Sequence, residues 1–556
     1  MNLFSVAQCG LYSAQTALNV IANNLNNIAT PDYCKQKVIL AEACGINTKQ
    51  GFLGSGVRVA MIQRVNDGFL NAIKRDSYHE KGEIDARHKY SSQIDNLYAT
   101  SHQDISDAFS QVFFSLQKTN GDSASVVLRQ EVLASFSSLL NHFQHYDDTL
   151  TALNSSISTD IMQSIADINK YSQQLAKLNT EIAQHYNKAE VLPANLLDRR
   201  DALLNQLSSE VAIRVYDTPS HGQNRITLKN GLTLVNEGQS YQLESASGKS
   251  ATQPGVVYYK DAGGQSLGID NSHLLQGKLG GLLHFAHLEL KEISDSLNEL
   301  ALKTADQFNQ ANNKGMDLNG LPGNNLFTQP SLQVDAYPDN RSAARPEVSY
   351  HQISDVKHED YEIIAPGANN EQWIVTKGQG QARVKLTSLA NHLFCFDGIK
   401  MTVPDTALSG ERYRISPVSG AIANIRLNIT GVKQLALAKL ASETDNQETR
   451  TPQESDNRNL KNFLAIRECD LTEHGSFFKN YTRMLSQTGN TTSSLKEQKK
   501  AISDICNNIE MTEKEYSGVD TSSEYIQMMM MTKYYQANAQ ILQTATTLFD
   551  AILNIH

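Results

Sequence analysis

The sequence predicts an α+β multidomain protein: a long coiled-coil-like helical rod built from N- and C-terminal segments, with inserted mainly-β domains. Three observations carry this. The chain has 556 residues, too many for one core when domains run to about 150 residues. Ten of its 12 prolines fall between Pro193 and Pro417. Proline breaks helix interiors at about 3 kcal/mol, so the proline-free flanks are where long helices can lie. Within those flanks apolar residues recur at the 3-4 alternation of a coiled coil.

The first helix carries Phe4, Ala7, Leu11, Ala14, Leu18, Ile21, Leu25 and Ile28 on such a seam, and Thr30-Pro31-Asp32 stops it. Gly51, Gly54 and Gly56 read as a turn between strand-like segments. Further helix is expected at about 80–120. A long helix follows at about 123–186. Its seam runs Phe136, Leu139, Phe143, Tyr146, Leu150, Leu153 and Ile157, steps four residues to Ile161, and resumes through Ile168, Leu175 and Ile182. That extra step is a stutter, which locally unwinds a supercoil. A helix at 196–209 precedes short strands at Ala212–Tyr216, Ile226–Leu228 and Leu232–Val235, with Asn230-Gly231 as a turn. After a helix at 276–313, β-prone runs recur between 325 and 430, with Trp373, Phe394 and Phe396 expected on inner faces. Helices are expected again at 431–443, 457–467 and 476–515, around a polar linker near Ser442–Asn459.

At the C-terminus Tyr534, Ile541, Leu548 and Ile555 lie seven apart. Met531, Ala545 and Ile552 fill the alternate positions, and Asn538 interrupts the seam. A lone polar residue at such a position commonly fixes coiled-coil register. The resulting division is 1–70 (N-terminal helix and extended segment), 71–324 (helical rod with a small β module at 211–275), 325–430 (inserted all-β domain), 431–515 (returning helices) and 516–556 (C-terminal coiled-coil helix). An isolated terminal helix is marginal in water, so each end is expected to pair with the other and then with neighbouring subunits.

Composition excludes several function classes. The 49 basic and 59 acidic side chains give a net charge of −10, without the basic stripe that nucleic acid or an anionic membrane surface requires. No run of 18 apolar residues suggests a membrane span. The uncharged first 31 residues do not have the form of a cleavable secretory signal, which taken alone suggests a cytoplasmic protein. The six cysteines, at 9, 34, 44, 395, 469 and 506, form no C-x-x-C pair or zinc spacing. The pairs His142/His145 and His284/His287 carry no accompanying zinc-protease glutamate. Asp317-x-Asn319-Gly320 begins like a calcium loop but has Thr328 at its twelfth position. Asp198, Arg199, Arg200 and Asp201 read as a structural charge cluster at a helix start. No catalytic, cofactor or metal site is expected.

The segment Asn23-Asn24-Leu25-Asn26-Asn27-Ile28-Ala29-Thr30-Pro31-Asp32-Tyr33, followed by Lys35-Gln36, resembles the N-terminal signature of the flagellar rod, hook and hook-associated family. Its signature positions here are Asn23, Asn24, Asn27, Thr30 and Tyr33. Gly54-Ser-Gly56-Val57 through Ile62-Gln-Arg64 and Asp67-Gly-Phe69-Leu70 continue the resemblance. Gly518-Val519-Asp520, Glu524-Tyr525, Tyr534-Tyr535-Gln536-Ala537-Asn538-Ala539 and Thr544-Ala545 through Phe549-Asp550-Ala551 match its C-terminal end. Leu196-Leu197-Asp198-x-Arg200-Asp201-x-Leu203, together with Phe396-Asp397-Gly398 through Tyr413 and Pro417-Val418, narrows the resemblance to the group forming the first hook–filament junction. The family pattern prefers Gly where Asp32 stands and tends to lack cysteine.

The resemblance implies a structural, non-enzymatic protein that assembles into a homo-oligomeric ring. Its implied partners are the hook protein, a second hook-associated junction protein and a cytoplasmic export chaperone at the C-terminal region. It also implies secretion through the flagellar type III channel without a cleaved signal, which overrides the cytoplasmic reading. The alternatives are another axial protein (hook, distal rod or another junction component) and, remotely, an enzyme domain grafted on a flagellar scaffold.

Overall fold

A computed structural model describes residues 3–43, 45–48, 51–100, 104–189, 191–217, 222–246, 256–261, 263–269, 276–337, 340–366, 372–378, 382–390, 392–404, 406–429, 431–440 and 456–553. Long helices occupy both ends and small antiparallel sheets lie between them, the fold class expected. The helices are α1 (Leu3–Asn26), α2 (Gly68–Thr100), α3 (Ile105–Lys118), α4 (Val126–Ala189), α5 (Ala194–Glu210), α6 (Gly277–His284), α7 (Leu290–Asn313), α8 (Ala421–Asn424), α9 (Leu460–Ala465), α10 (Phe477–Ser517) and α11 (Thr521–Leu553). The chain divides into two compact units. One comprises Met1–His88, Ser158–His284 and Leu495–His556; the other comprises Lys89–Ile157 and Phe285–Ser494.

In the first unit, β1 (Gln36–Glu42) pairs with β4 (Val57–Arg64), and β2 (Ile46–Thr48) pairs with β3 (Gly51–Leu53), each antiparallel. Two meanders follow. One contains β5 (Ile213–Asp217), β6 (Asn224–Leu228), β7 (Thr233–Asn236) and β8 (Gln239–Ser240); the other contains β9 (Gln242–Ala246), β10 (Val256–Lys260) and β11 (Ser266–Gly268). The seam of α4 beyond its stutter buries Ile161, Ile168, Leu175 and Ile182. Two of the intervening buried positions, Ser164 and Asn179, are polar and partnered. Ser164 donates to Glu210 at 2.6 Å, and the Asn179 amide donates to the carbonyls of Asn224 and Glu237, both at 2.9 Å. Helix and meander are thus joined through side chain–backbone bonds, which satisfy loop groups that no ladder reaches.

In the second unit, the seam of α4 before the stutter is the core. Phe136, Leu139, Phe143, Tyr146 and Leu150 are buried, while Leu153 is half-buried. Phe109 stacks on Phe477 with ring centres 3.8 Å apart, and Phe136 meets Phe308 edge-on at 4.9 Å, an arrangement that suits aromatic quadrupoles. β12 (Gly315–Met316) pairs with β22 (Ala438–Lys439). Two further sheets lie between them in sequence. The five-stranded sheet contains β13 (Val334–Ala336), β15 (Tyr361–Ile364), β16 (Ile374–Lys377), β17 (Ala382–Val384) and β21 (Arg412–Ile415). The four-stranded sheet contains β14 (Glu347–Tyr350), β18 (Thr387–Ala390), β19 (Leu393–Phe396) and β20 (Ile399–Thr402). Their common core includes Tyr361, Ile363, Phe396, Ile399, Met401, Tyr413 and Ile415, with Trp373 and Phe394 packed at its margin. Asp397 and Gly398, at φ 38° and 75°, make the two-residue turn between β19 and β20, the backbone for which Asp-Gly is favoured.

One expected helix is absent. Residues 431–440 hold only a 3₁₀ turn, Val432–Gln434, and the strand β22; the remaining 441–443 lie outside the described residues. Leu435, Ala436, Leu437 and Ala438 are buried as an extended run. The Ala436 amide donates to Asn312 at 2.8 Å, and Asn459 donates to the Ala436 carbonyl at 2.6 Å. A short, wholly apolar run has no period to separate helix from buried strand, and these asparagines hold it extended.

Glu411 caps the five-stranded sheet. Its carboxylate accepts hydrogen bonds from the Arg341, Ser342 and Leu408 amides and from the Ser342 and Tyr413 hydroxyls, at 2.6–3.0 Å. It lies near the surface, but its own donors enclose it. Burial would raise this carboxyl; the hydrogen bonds, led by those from Ser342, outweigh burial and hold it down at about 2. Because the folded value lies below the unfolded one, its stabilisation is complete above the ordinary carboxylate range. It is lost as pH falls through about 2. Glu411→Gln should destabilise the sheet by about 2 kcal/mol at neutral pH and flatten this acid dependence, as read by tryptophan fluorescence of Trp373 during urea melts between pH 6 and 2.

Candidate functional site

The two terminal helices pair along their lengths as antiparallel neighbours. Gly10 faces Asn538, and Asn24 meets Glu524. On α1 the buried residues are Ala7, Gly10, Ser13, Ala14, Ala17, Val20, Ile21 and Asn24. On α11 they are Glu524, Asn538 and Ala545, with Met528, Met531 and Leu542 half-buried beside them. This seam is made mostly of small side chains, which lets two helix axes approach closely.

The line of contact corrects the one read from periodicity. Ile21, Asn538 and Ala545 are buried and Met531 is half-buried, as the seam requires. Leu11, Leu18 and Leu25 lie only half-buried at its edge, and Phe4 and Ile28 are exposed. Tyr534, Ile541 and Leu548 also face outward, Leu548 at 56%. The side chain of Ile552 and all of Ile555 lie outside the described residues. The physical reason is that Gly10, Ala17 and Asn24 stand one residue before Leu11, Leu18 and Leu25. Both lines keep the same seven-residue repeat. Hydrophobicity favours the leucines, whereas close approach favours the small residues.

The asparagine-rich signature closes the C-terminal end of α1. Asn24 Nδ2 donates to the Gln36 carbonyl at 2.9 Å and to Glu524 Oε2 at 3.1 Å, and Asn24 Oδ1 accepts from the Gln36 amide at 3.0 Å and the Tyr33 hydroxyl at 2.9 Å. Asn23 donates to the Tyr33 oxygen at 3.1 Å, Asn27 donates back to Asn23, and Thr30 donates to Asn27 at 3.2 Å. Burial, reinforced by the charge of Asp198, pushes the Tyr33 hydroxyl up to about 12, so it remains a donor. Asp32 sits at φ 56°, a left-handed backbone that glycine adopts freely and aspartate tolerates. That accounts for the glycine preference of the signature pattern at this position.

Beyond the signature, Arg64 at the end of β4 reaches into α5. Its Nε lies 2.6 Å from Asp198, its Nη2 2.7 Å from Asp201, and Nη2 also donates to Cys34 Sγ at 3.2 Å. Arg200 turns away to the Gly222 carbonyl and Asn224. Burial raises the Asp198 carboxyl despite Arg64 and pushes the Cys34 thiol up to about 11. The Asp198–Asp201 cluster therefore partners the β1–β4 hairpin, a connection that residue spacing gave no means of finding. Lys74 joins Glu513 at 2.5 Å, and the Lys35 amide donates to the Ser517 carbonyl at 2.8 Å. The foot of α11 is thereby held beside the foot of α1.

No group of three or more potential metal ligands occurs among the described residues. Asp317 is buried in a turn, its Oδ1 accepting the amides of Asn319 and Leu321 at 2.8 Å. A cavity of about 130 Å³ in the second unit is lined by residues including Glu299, His358, Arg483 and Thr488. Its Glu299 already pairs with His358 at 2.9 Å and Lys303 at 2.7 Å.

The family described as "Flagellar hook-associated protein FlgK helical domain" matches residues 91–327, and "Flagellar basal body rod FlgEFG protein C-terminal" matches 514–555. "Flagellar hook-associated protein 1" of Salmonella typhimurium is 31% identical over 560 residues, covering 100% of both chains. This chain belongs to the flagellar hook-associated protein 1 family. The family's Escherichia coli K12 member is likewise 31% identical, over 557 residues and all of both chains. The solved flagellar hook junction protein FlgK from Burkholderia pseudomallei has the same fold. It superposes with a TM-score of 0.71 at 19% identity, covering 81% of this chain and 100% of that one.

Asn24 is the joint of the signature in this member of the family. Asn24→Ala should leave Glu524 and the Gln36 backbone groups without their amide partner and cost about 3 kcal/mol locally. The expected readout is faster amide exchange throughout α1 and the first turns of α11. Tyr33→Phe, which removes one hydroxyl bond, should cost about 1 kcal/mol.

Proposed function

We propose that this chain is a non-catalytic structural component of the bacterial flagellum that self-assembles, through α1 and α11, into the first junction ring between hook and filament. The observation that carries the reading is the outward face of the terminal pair. Phe4, Tyr12 and Ile28 on α1, and Tyr525, Ile526, Met529, Met530, Tyr534, Ile541, Leu548 and Phe549 on α11, are all exposed. So much apolar surface along two helices marks an interaction face. Charge hardly opposes its burial: from Thr521 to Leu553 only Glu524, Lys533 and Asp550 are charged, and Glu524 is already buried. Neighbouring copies would cover this face within the ring, and the hook protein and the second junction protein would meet its two ends. No described helix is long and apolar enough to cross a membrane.

Before assembly the same face needs protection from nonspecific association, which is the task assigned here to an export chaperone at the C-terminal region. Export would follow the flagellar type III route, directed by the uncharged first 31 residues. A reporter carrying those residues should leave export-competent cells and stay inside cells lacking the apparatus; retention in both would refute the route.

The decisive experiment on assembly separates monomer stability from junction formation. Leu548→Ala removes a side chain exposed in the single chain, so the melting of purified protein should change by less than about 0.5 kcal/mol. Junction formation and motility should nevertheless fall sharply. Normal junctions from Leu548→Ala and Ile541→Ala chains would show that the outward face is not the assembly surface.

A further inference from the structure

The seam between α1 and α11 contains two contacts of a buried polar side chain, Asn538 against Gly10 and Asn24 with Glu524. They are 14 residues apart on each helix, two heptads of a coiled coil. A Cβ placed on Gly10 would lie 2.3 Å from Asn538 Oδ1 and 2.6 Å from its Cγ. Gly10 is thus a recess that receives the Asn538 side chain, whose Nδ2 donates to the Tyr534 carbonyl at 2.9 Å. We infer that Gly10 and Asn538 are a specificity-determining pair, a key and its recess, that admits one register of the terminal helices and excludes registers slipped by a heptad. This deepens the assembly reading above and rests on it for its biological consequence, since a heptad slip would carry the outward side chains of α11 about 10 Å along α1.

The argument comes from what each slip would do. The rest of the seam is repetitive: Ala7, Ala14 and Ile21 on one line, and Ala17 between Gly10 and Asn24 on the other. Small residues alone would allow α11 to move seven residues with little loss. In the native register Val20 stands opposite Met528 and Ala17 opposite Met531. Moving α11 one heptad so that Val20 faces Tyr535 brings Asn538 against the methyl group of Ala17. It also sets Asn24 against Met531 and carries Glu524 past the end of α1, so the amide of Asn24 loses its carboxylate. Moving it the other way sets the Glu524 carboxylate against Ala17, away from the amide of Asn24. Each slip therefore separates Asn24 from Glu524, and the first also drives the Asn538 amide against a methyl group, a penalty comparable to a lost hydrogen bond or larger. A single buried asparagine can select among coiled-coil registers in this way. Here the selection needs both halves, because only a glycine leaves room for the amide.

The test uses the full chain, purified and in assembled flagella. Val20→Cys is combined with Met528→Cys to report the native register, or with Tyr535→Cys to report the slipped one; disulfides are mapped by mass spectrometry so that native cysteines do not confuse the result. The 20–528 link should form and the 20–535 link should not. Adding Gly10→Ala should cut the 20–528 yield at least fivefold. Adding Asn538→Ala should let the 20–535 link appear. The Gly10→Ala/Asn538→Ala chain should match the Asn538→Ala chain to within twofold. The inference is overturned if Gly10→Ala is equally harmful with Asn or Ala at position 538, if Asn538→Ala leaves only the native link, or if the parent shows no 20–528 link. Failure of the assembly reading alone would look different: normal junctions from Leu548→Ala chains, with the link pattern on purified protein unchanged.

Discussion

One buried amide, Asn24, holds together three parts of the chain that are remote in sequence. It is hydrogen-bonded to the Tyr33 hydroxyl, to both backbone groups of Gln36 at the start of β1, and to Glu524 in the first turn of α11. A neutral side chain with two donors and two acceptor lone pairs can satisfy this many directions at once. It fixes where α1 stops, how the chain turns into the hairpin, and where the C-terminal helix begins its pairing. The left-handed turn at Asp32 and the ion pairs of Arg64 and Lys74 are arranged around the same foot.

The opposite end of the terminal pair obeys a different constraint. Toward Gly10 the helices are held by close approach of small residues, and the buried polar side chains there are Ser13 and Asn538. The pair thus has a hydrogen-bonded foot and a closely approached upper part, while its large apolar side chains stay exposed.

Much of this was legible in the sequence. The heptad repeats gave α1, α4 and α11, and Asp397-Gly398 gave its hairpin turn; the stutter at Ile157–Ile161, read only as a local unwinding, falls where α4 passes from one unit to the other. What stayed hidden had physical causes. Period alone cannot choose between two adjacent heptad lines, so the leucine line of α1 was favoured over Gly10, Ala17 and Asn24. The run Leu435–Ala438 was read as helix because the asparagines that hold it extended come from positions 312 and 459. The Asp198–Arg64 pairing spans 134 positions of sequence, and a charge cluster carries no record of so distant a partner.

The two meanders of the first unit pair each strand with one adjacent in order, whereas β1 pairs with β4 around β2 and β3, and the described cysteines are all free thiols. Such a layout has a mechanical consequence. Drawn from one end, consecutive hairpins unzip a strand at a time, so hydrogen bonds break in succession rather than in parallel shear. No covalent cross-link among the described residues interrupts that succession. Cys34, shielded beneath Arg64 with its thiol held up at about 11, exposes little thiolate for oxidation in the folded chain.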